Sequence, residues 1–393
     1  MKNVYTKKEN CCGCTACYSI CPKHAISMKP DQEGFLYPII DASECVGCDL
    51  CKKVCPTQKN MPLESFERHG YVIRALDQSV VSRSTSGGFV SPLADWISKQ
   101  GGVICGATYD KNFKVVHVIS GGGGQAFRGS KYVQSDLKDC FTEIKKHIEK
   151  KTVVCFIGTP CQVCGLKSFL GKEYDNLVTV DVVCHGTPSP KMWEKYLNLQ
   201  KSKYHSEIES VAFRYKTYGY HSSTMRIAFK NGKSYFGSAR VDLMLKSFFE
   251  GLSSRPSCYK CHFKTLERCS DFTIYDCWNA EKLVNNLIDD DKGFTNLIVQ
   301  SSKGEKILEE IKDKYELYSV NLKKAADLDG VMIWNSAQPH PRRNEFYHGI
   351  DEELLDNHVQ KFAPIKVKDY LIEYSKKYLY NMSAFRYIRN KLR

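Results

Sequence analysis

The sequence predicts a chain of mixed α+β and α/β class, with three parts: a small cysteine-rich N-terminal module, a larger mixed α/β domain and a C-terminal helix. Three observations carry that reading. The first sixty residues contain a duplicated cysteine run. From about residue 70 to 335, short β-branched and aromatic runs alternate with segments of helical spacing. At the end, KVKDYLIEYSKKYLYNMSAFRYIRNKLR (366–393) repeats Tyr, Leu, Ile and Phe at helical intervals among lysines and arginines. The expected boundaries are 1–60, 70–345 and 346–393, with the polar stretch TQKNMPLESFER (57–68) as a linker.

The N-terminal module is the most informative part. CCGCTACYSICP places cysteines at 11, 14, 17 and 21 before Pro22, and ECVGCDLCKKVCP repeats the pattern at 45, 48, 51 and 55 before Pro56. Each is C-x2-C-x2-C-x3-C-P, the run that wraps a 4Fe–4S cubane in bacterial ferredoxins, the fourth cysteine of each run ligating the other cluster. The expected ligand sets are therefore Cys11, Cys14, Cys17 and Cys55 for one cubane, and Cys45, Cys48, Cys51 and Cys21 for the other. Cys12 is left over and is expected to point away. A pair of zinc knuckles would need neither the third cysteine nor the C-x3-C-P tail. No C-x3-C-x2-C triplet supports radical chemistry on S-adenosylmethionine.

In the larger domain VVCFIG (153–158), VTVDVVC (178–184), SVAFRY (210–215), TMRIAFK (224–230), DFTIYD (271–276) and TNLIVQSS (295–302) read as strands. FVSPLADWISKQ, LKDCFTEIKKHIEK and KMWEKYLNLQKS read as helices. Ten cysteines lie in this domain. Cys161 follows a strand and a Gly-Thr-Pro turn, Cys184 ends the next strand before another such turn, and Cys258 and Cys261 form a C-x2-C knuckle. Together these four are the expected ligands of a third cubane. Cys164 is either packing or, with Cys161, a dithiol whose pKa a helix N-terminus would lower; packing is the preferred reading. Cys269 competes for a ligand position, and Cys105, Cys140 and Cys155 read as buried hydrophobes.

Composition narrows the class. Nineteen cysteines, with 42% apolar residues, suit a globular metalloprotein. A disulfide framework would call for an export signal, and MKNVYTKKEN offers no apolar core for one. The expected location is the cytoplasm, with the basic tail touching the inner membrane face if it touches a membrane at all. The net charge of +13 accompanies no nucleic-acid motif, so nucleic acid is not an expected partner.

GTPCQVCGL, DVVCHGTPSPKMWEKYL, GSKYVQSDL, STSGGFVSPLADWI and CYKCHFKTLERCSDFTIYD, taken in order, resemble the coenzyme F420 hydrogenase/dehydrogenase beta-subunit family over roughly residues 1–345. The bacterial type of that family carries an N-terminal two-cluster ferredoxin module. The resemblance implies an oxidoreductase with FAD and one 4Fe–4S cluster in the large domain, three cubanes in all, and puts the large domain's ligands on Cys161, Cys184, Cys258 and Cys261. It implies a redox partner such as a ferredoxin or hydrogenase-like subunit, and a small-molecule acceptor, coenzyme F420 or another reducible substrate; some bacterial relatives are thought to serve polysaccharide synthesis. A non-catalytic electron-transfer subunit and a structural role in a polysaccharide assembly are the alternatives.

Candidate flavin contacts are Ser86, Gly87 and Gly88 before a helix, where small residues admit a diphosphate. Arg128, Ser130, Lys131 and Gln134 join them from the glycine-rich loop 121–134. Lys131, His185 and His221 are the candidate catalytic residues. Arg214, Lys216 and His221 form a basic–aromatic loop suited to an anion. Where the family usually reads Gly-Asp-Phe-Trp-Gly this chain has Tyr275-Asp276-Cys277-Trp278-Asn279, so a positive-φ turn there would fall to Asn279.

Overall fold

A computed structural model describes residues 4–59 and 61–380. Its strands are β1 (Ile26–Pro30), β2 (Leu36–Ile40), β3 (His69–Ala75), β4 (Val103–Tyr109), β5 (Val115–Ser120), β6 (Val154–Gly158), β7 (Leu177–Val182), β8 (Ile208–Tyr215), β9 (Thr224–Phe229), β10 (Ser234–Gly237), β11 (Phe272–Cys277), β12 (Phe294–Val299) and β13 (Tyr315–Val320). All six strands and three helices read from the sequence are present, with ends shifted by no more than three residues.

The chain forms two compact units: residues 1–190 with 254–338, and residues 191–253 with 339–393. This partition differs from the three contiguous segments expected. The cysteine-rich segment joins the α/β body, whereas 191–253 leaves it for a unit completed by the chain's end.

The first unit is built on an eight-stranded mixed sheet of order β13-β3-β12-β11-β7-β6-β4-β5. Strands β4, β6, β7 and β11 run parallel, and β3 shares their direction through the antiparallel β12. Parallel strands buried on both faces need apolar residues of alternating direction. On one face Ile104 and Cys155 pack with Leu93 and Ile97 of the helix Val90–Lys99 and with Ile307 and Ile311 of the helix Ser302–Ile311. On the other, Cys105, Val154 and Phe156 pack with Phe141, Ile144 and Ile148 of the helix Cys140–Glu149 and with Val163, Leu166 and Phe169 of the helix Pro160–Leu170.

The N-terminal module lies on that second face, with Cys14, Ala16 and Val54 sharing its core. Ser168 donates to the Val54 carbonyl (2.7 Å), Tyr18 to Asp139 (2.7 Å), and the Leu36 amide to the Gln134 side chain (3.0 Å). Gly165 permits the close approach: a Cβ there would stand 2.7 Å from the Cys14 Cβ and 2.8 Å from its sulfur. Among its described residues the 57–68 stretch forms no helix or strand, and it is strapped down. Thr57 donates to the Asn10 carbonyl and Gln58 to that of Val4.

His117, on β5, is fully enclosed and serves the core. Its Nε2 donates to the Ile157 carbonyl (3.2 Å), and its Nδ1 accepts from Ser135 (2.8 Å), which also accepts from Gln162. Burial pushes the imidazole down to about 4. Because the folded value lies below the ordinary one near 6.5, the stability is complete above 6.5 and drains away as pH falls toward 4. The unit is expected to be about 2 kcal/mol less stable at pH 5 than at pH 7.5 through this residue alone. Thermal melts across that range should show a shallower pH slope in His117→Gln.

The second unit holds the antiparallel sheet β10-β9-β8. Asp242 is its buried anchor: it caps the helix Leu243–Phe249 and accepts from the hydroxyls of Tyr196 and Tyr235. The helix Val367–Leu379 is held by Glu373, which accepts from the Ser238 hydroxyl and amide. Val367, Leu371 and Tyr374 on it are more than half exposed, so it does not bury the apolar stripe that the sequence suggests. The remainder of the expected tail helix, 381–393, lies outside the described residues.

Candidate iron–sulfur centre

The two cysteine runs fold as matched loops. Gly13 and Gly47 take φ values of +72° and +71°, and Thr15 and Asp49 values of 65° and 56°. Left-handed residues on either side of the second cysteine curl each loop back on itself and turn its amides inward, where thiolate-bound clusters accept hydrogen bonds. Cys11, Cys14, Cys17 and Cys55 line one pocket together, drawing three thiols from the first run and the fourth from the second. Cys21 and Cys51 pack against the same buried cluster of Val4, Cys17 and Ile26, and Cys45 stands in the second loop.

The two sites differ in shelter. Cys14 and Cys17 are buried, whereas Cys45 and Cys48 are exposed. The glycines tell the same story, since a Cβ at Gly13 would meet the Gln134 side chain at 2.6 Å and one at Gly47 would meet nothing within 4 Å. One site is therefore inner and covered by the α/β body, the other outer and open.

Cys161, Cys184, Cys258 and Cys261 line a single recess with Thr159, His185, Lys264 and Arg268. The topology explains the convergence. β6 and β7 are adjacent and parallel, so the turns leaving their carboxyl ends deliver Cys161 and Cys184 side by side. The 3-10 turn Pro256–Lys260 brings the knuckle. The Arg255 amide bonds the Thr187 carbonyl (3.0 Å) and fastens that turn to the one after Cys184. The Lys264 ammonium grips the Cys184 carbonyl (2.6 Å).

Among the described residues no three His, Cys, Asp or Glu side chains converge tightly enough for a single metal ion. The four thiols instead line one recess together, and a cubane, with one thiolate on each of four separate corner irons, would take them spread in that way. Burial raises Cys184, Cys258 (to about 11) and Cys261, while the hydrogen bond that Cys161 donates to Cys12, and then burial, raise Cys161. None of these thiols ionises readily on its own, so the charge of bound iron is what would hold them as thiolates.

Two residues unmarked in the sequence complete the arrangement. Cys12, expected to point away, instead lines both the inner pocket and the four-cysteine recess and contacts Cys14 and Cys161. The docking of the module onto the helix Pro160–Leu170 turns it there. Arg255, 1% exposed, donates to the Cys11 carbonyl (2.7 Å), the Leu36 carbonyl (3.1 Å) and the Cys11 sulfur (3.5 Å), and lies 3.9 Å over the Tyr37 ring. Its position just before the Cys258 knuckle was the one available signal.

The residues expected to meet a flavin have several separate engagements. Gly87 lies against the sheet, its amide bonded to Thr295 (2.9 Å), and an added Cβ would sit 2.4 Å from the Ile73 carbonyl. Ser86 bonds Thr295 as well (2.8 Å), and Gly88 needs its φ of +84°. Arg128 donates to Ser91, and the Lys131 ammonium is held by the carbonyls of Arg128 and Gly129, burial lowering it to about 8. Gln134 faces Gly13 and Leu36 in the N-terminal module. Ser130 bonds Thr85 through both amide and hydroxyl, so the two loops do meet, at the carboxyl edge of β3. Arg128, Lys131, Ser86 and Ser130 thus all have partners within the chain.

Of the candidate catalytic residues, His185 lies in the recess and Lys131 in the loop just described, while His221, with Arg214 and Lys216 around the Tyr220 ring, belongs to the second unit. Asn279 has φ −120°, so the Tyr275–Asn279 segment makes no left-handed turn; Asp329 ties it down through the Trp278 and Asn279 amides. Asp271 is a buried structural acceptor for Thr179 and Ser301.

Paired ferredoxin-type loops docked on a parallel α/β sheet that carries further clustered thiols define an iron–sulfur electron-transfer protein. Residues 10–59 match the 4Fe-4S dicluster domain, and residues 151–325 match the C terminus of the coenzyme F420 hydrogenase/dehydrogenase beta subunit. That segment is similar to the coenzyme F420 hydrogenase/dehydrogenase beta-subunit family. Among solved structures it is similar to a chain of the F420-reducing NiFe hydrogenase complex from Methanosarcina barkeri, with 14% identity, a TM-score of 0.42, and coverage of 77% of this chain and 92% of that one. No protein of curated function matches it. Among the described residues no helix is long and apolar enough to cross a membrane.

Proposed function

We propose that the protein is an iron–sulfur flavoprotein oxidoreductase that carries electrons from an outer cubane to an inner one, then to a third, and on to FAD and a two-electron organic acceptor. The observation that carries this reading is the presence of three thiol sets of four in one unit of the fold. Cys45, Cys48, Cys51 and Cys21 would hold the outer cluster, Cys11, Cys14, Cys17 and Cys55 the inner one, and Cys161, Cys184, Cys258 and Cys261 the third. Cys12 lies between the last two.

Exposure sets the first apart, since Cys45 and Cys48 are exposed and no cysteine of the other two sets is. The outer loop, with Val46 62% exposed beside Cys45 and Cys48, is where a redox partner such as a ferredoxin or hydrogenase-like subunit would dock. When bound, the flavin supplies the exchange between one- and two-electron chemistry. This chain's contribution there is to position it, with Thr85, Ser86 and Ser130 offering hydroxyls and amides at the carboxyl edge of the sheet, the edge where open α/β sheets take ligands. The acceptor is coenzyme F420 or another reducible small molecule, including one in polysaccharide synthesis.

Anaerobic purification with iron, sulfide and flavin counted per chain tests this directly. The expected result is about twelve irons, from three cubanes, and one FAD. Full iron without flavin would reduce the protein to an electron-transfer subunit serving a partner enzyme, and about eight irons would remove the third cluster from the scheme.

A further inference from the structure

Cys164 and Cys269 belong to none of the three thiol sets, yet their sulfurs stand 2.8 Å apart. A disulfide bond is about 2.05 Å long, so the pair needs little movement to close. Cys164 sits one helical turn beyond Cys161 on the helix Pro160–Leu170, and Cys269 lies three residues before the start of β11 at Phe272. Both side chains retain 9% exposure. That residual surface faces a second, wider recess of about 1320 Å³ whose walls include Met61, Leu63, His262, Phe263 and the Arg268–Asp181 ion pair. Pro160, His262, Phe263 and Arg268 line both this recess and the four-cysteine one, so the thiol pair lies one layer of side chains from the third cluster's position.

We propose that Cys164 and Cys269 form a redox-active dithiol–disulfide couple, reduced through the neighbouring cluster position and oxidised by low-molecular-weight disulfides entering the second recess. The proposal rests on the three-cluster reading. In reduction, the Cys164–Cys269 disulfide would take up two electrons, which a cluster held by Cys161, Cys184, Cys258 and Cys261 would supply one at a time, and two protons from water in the recess, giving two thiols. In oxidation, one sulfur of the pair attacks R–S–S–R and a mixed disulfide forms with release of R–SH. The second thiol then closes the pair and releases the second R–SH.

The test uses the full-length, cluster-loaded chain under anaerobic conditions. After exposure to oxidised glutathione and a denaturing quench in iodoacetamide, mass spectrometry is expected to find two labels fewer per chain, with a linked peptide joining residues 164 and 269 and the iron content unchanged. Reduced methyl viologen should restore both labels in the native protein but not in Cys161→Ser, where dithiothreitol still does. Two cysteines that stay labelled throughout, in protein with its full iron, would overturn the couple. Iron lost from Cys164→Ala or Cys269→Ala would overturn it as well, by making them ligands. Equal viologen reduction in Cys161→Ser would overturn the route through the cluster. A native protein short of iron would instead mark failure of the three-cluster reading.

Discussion

Replacing Cys161 with serine is expected to lower the iron content from about twelve to about eight per chain, whereas Cys164→Ala keeps all twelve. The two cysteines are three residues apart on one helix, so a loss due to general unfolding would strike both variants alike. The difference comes from direction. The Cys161 sulfur lines the recess with Cys184, Cys258 and Cys261 and contacts the Thr159 hydroxyl at 3.1 Å, while Cys164 faces Cys269. Iron and sulfide analysis, with low-temperature EPR of the reduced protein, checks the result: the two ferredoxin-type signals persist in the Cys161 variant and the third is absent. Equal iron loss in both variants would show the assignment of ligands along this helix to be mistaken.

Arg255→Gln is expected to shift the inner cluster's reduction potential downward by roughly 60–130 mV. Reduction adds negative charge to the cluster, and a buried guanidinium donating to the Cys11 sulfur favours the more negative state. A hydrogen bond to a charged group contributes about 1.5–3 kcal/mol, and 59 mV corresponds to about 1.4 kcal/mol for one electron. Burial and the cation together hold the balance: burial raises the Cys11 thiol, while the arginine beside it pulls the other way. A potentiometric titration followed by EPR should show only the inner cluster moving. An unchanged midpoint would mean that solvent or the backbone screens the charge. Arg255→Lys should recover part of the shift without the bidentate grip on the Cys11 and Leu36 carbonyls.

Local chemistry explains which features were legible in the sequence. The paired C-x2-C-x2-C-x3-C-P runs act within a dozen residues each, so spacing alone describes the loops. Cys161 and Cys184 were legible because strand-end cysteines on consecutive strands become neighbours when those strands pair in parallel. The inward turn of Cys12 was not, since it depends on docking against a helix some 150 residues away in sequence, and no local pattern records that. The same holds for the division of the chain, where 191–253 takes its partner from beyond residue 338. The small residues Ser86-Gly87-Gly88 suggest room for a diphosphate; much of their smallness is explained by contact with Ile73 and Thr295. Gln134 illustrates the remaining difficulty, because a side chain in a glycine-rich loop gives no hint that it reaches across to a different module.

Arg255 also bears on how the molecule is made. Its bond to the Cys11 carbonyl spans 244 positions. On the ribosome the N-terminal sulfurs emerge long before the cation that will sit beside them, so the inner pocket stays open to assembly machinery until the chain is well past its midpoint. Iron loaded during that interval would be sealed in as the later segment arrives, while the solvent-facing outer site stays reachable for repair throughout the protein's life.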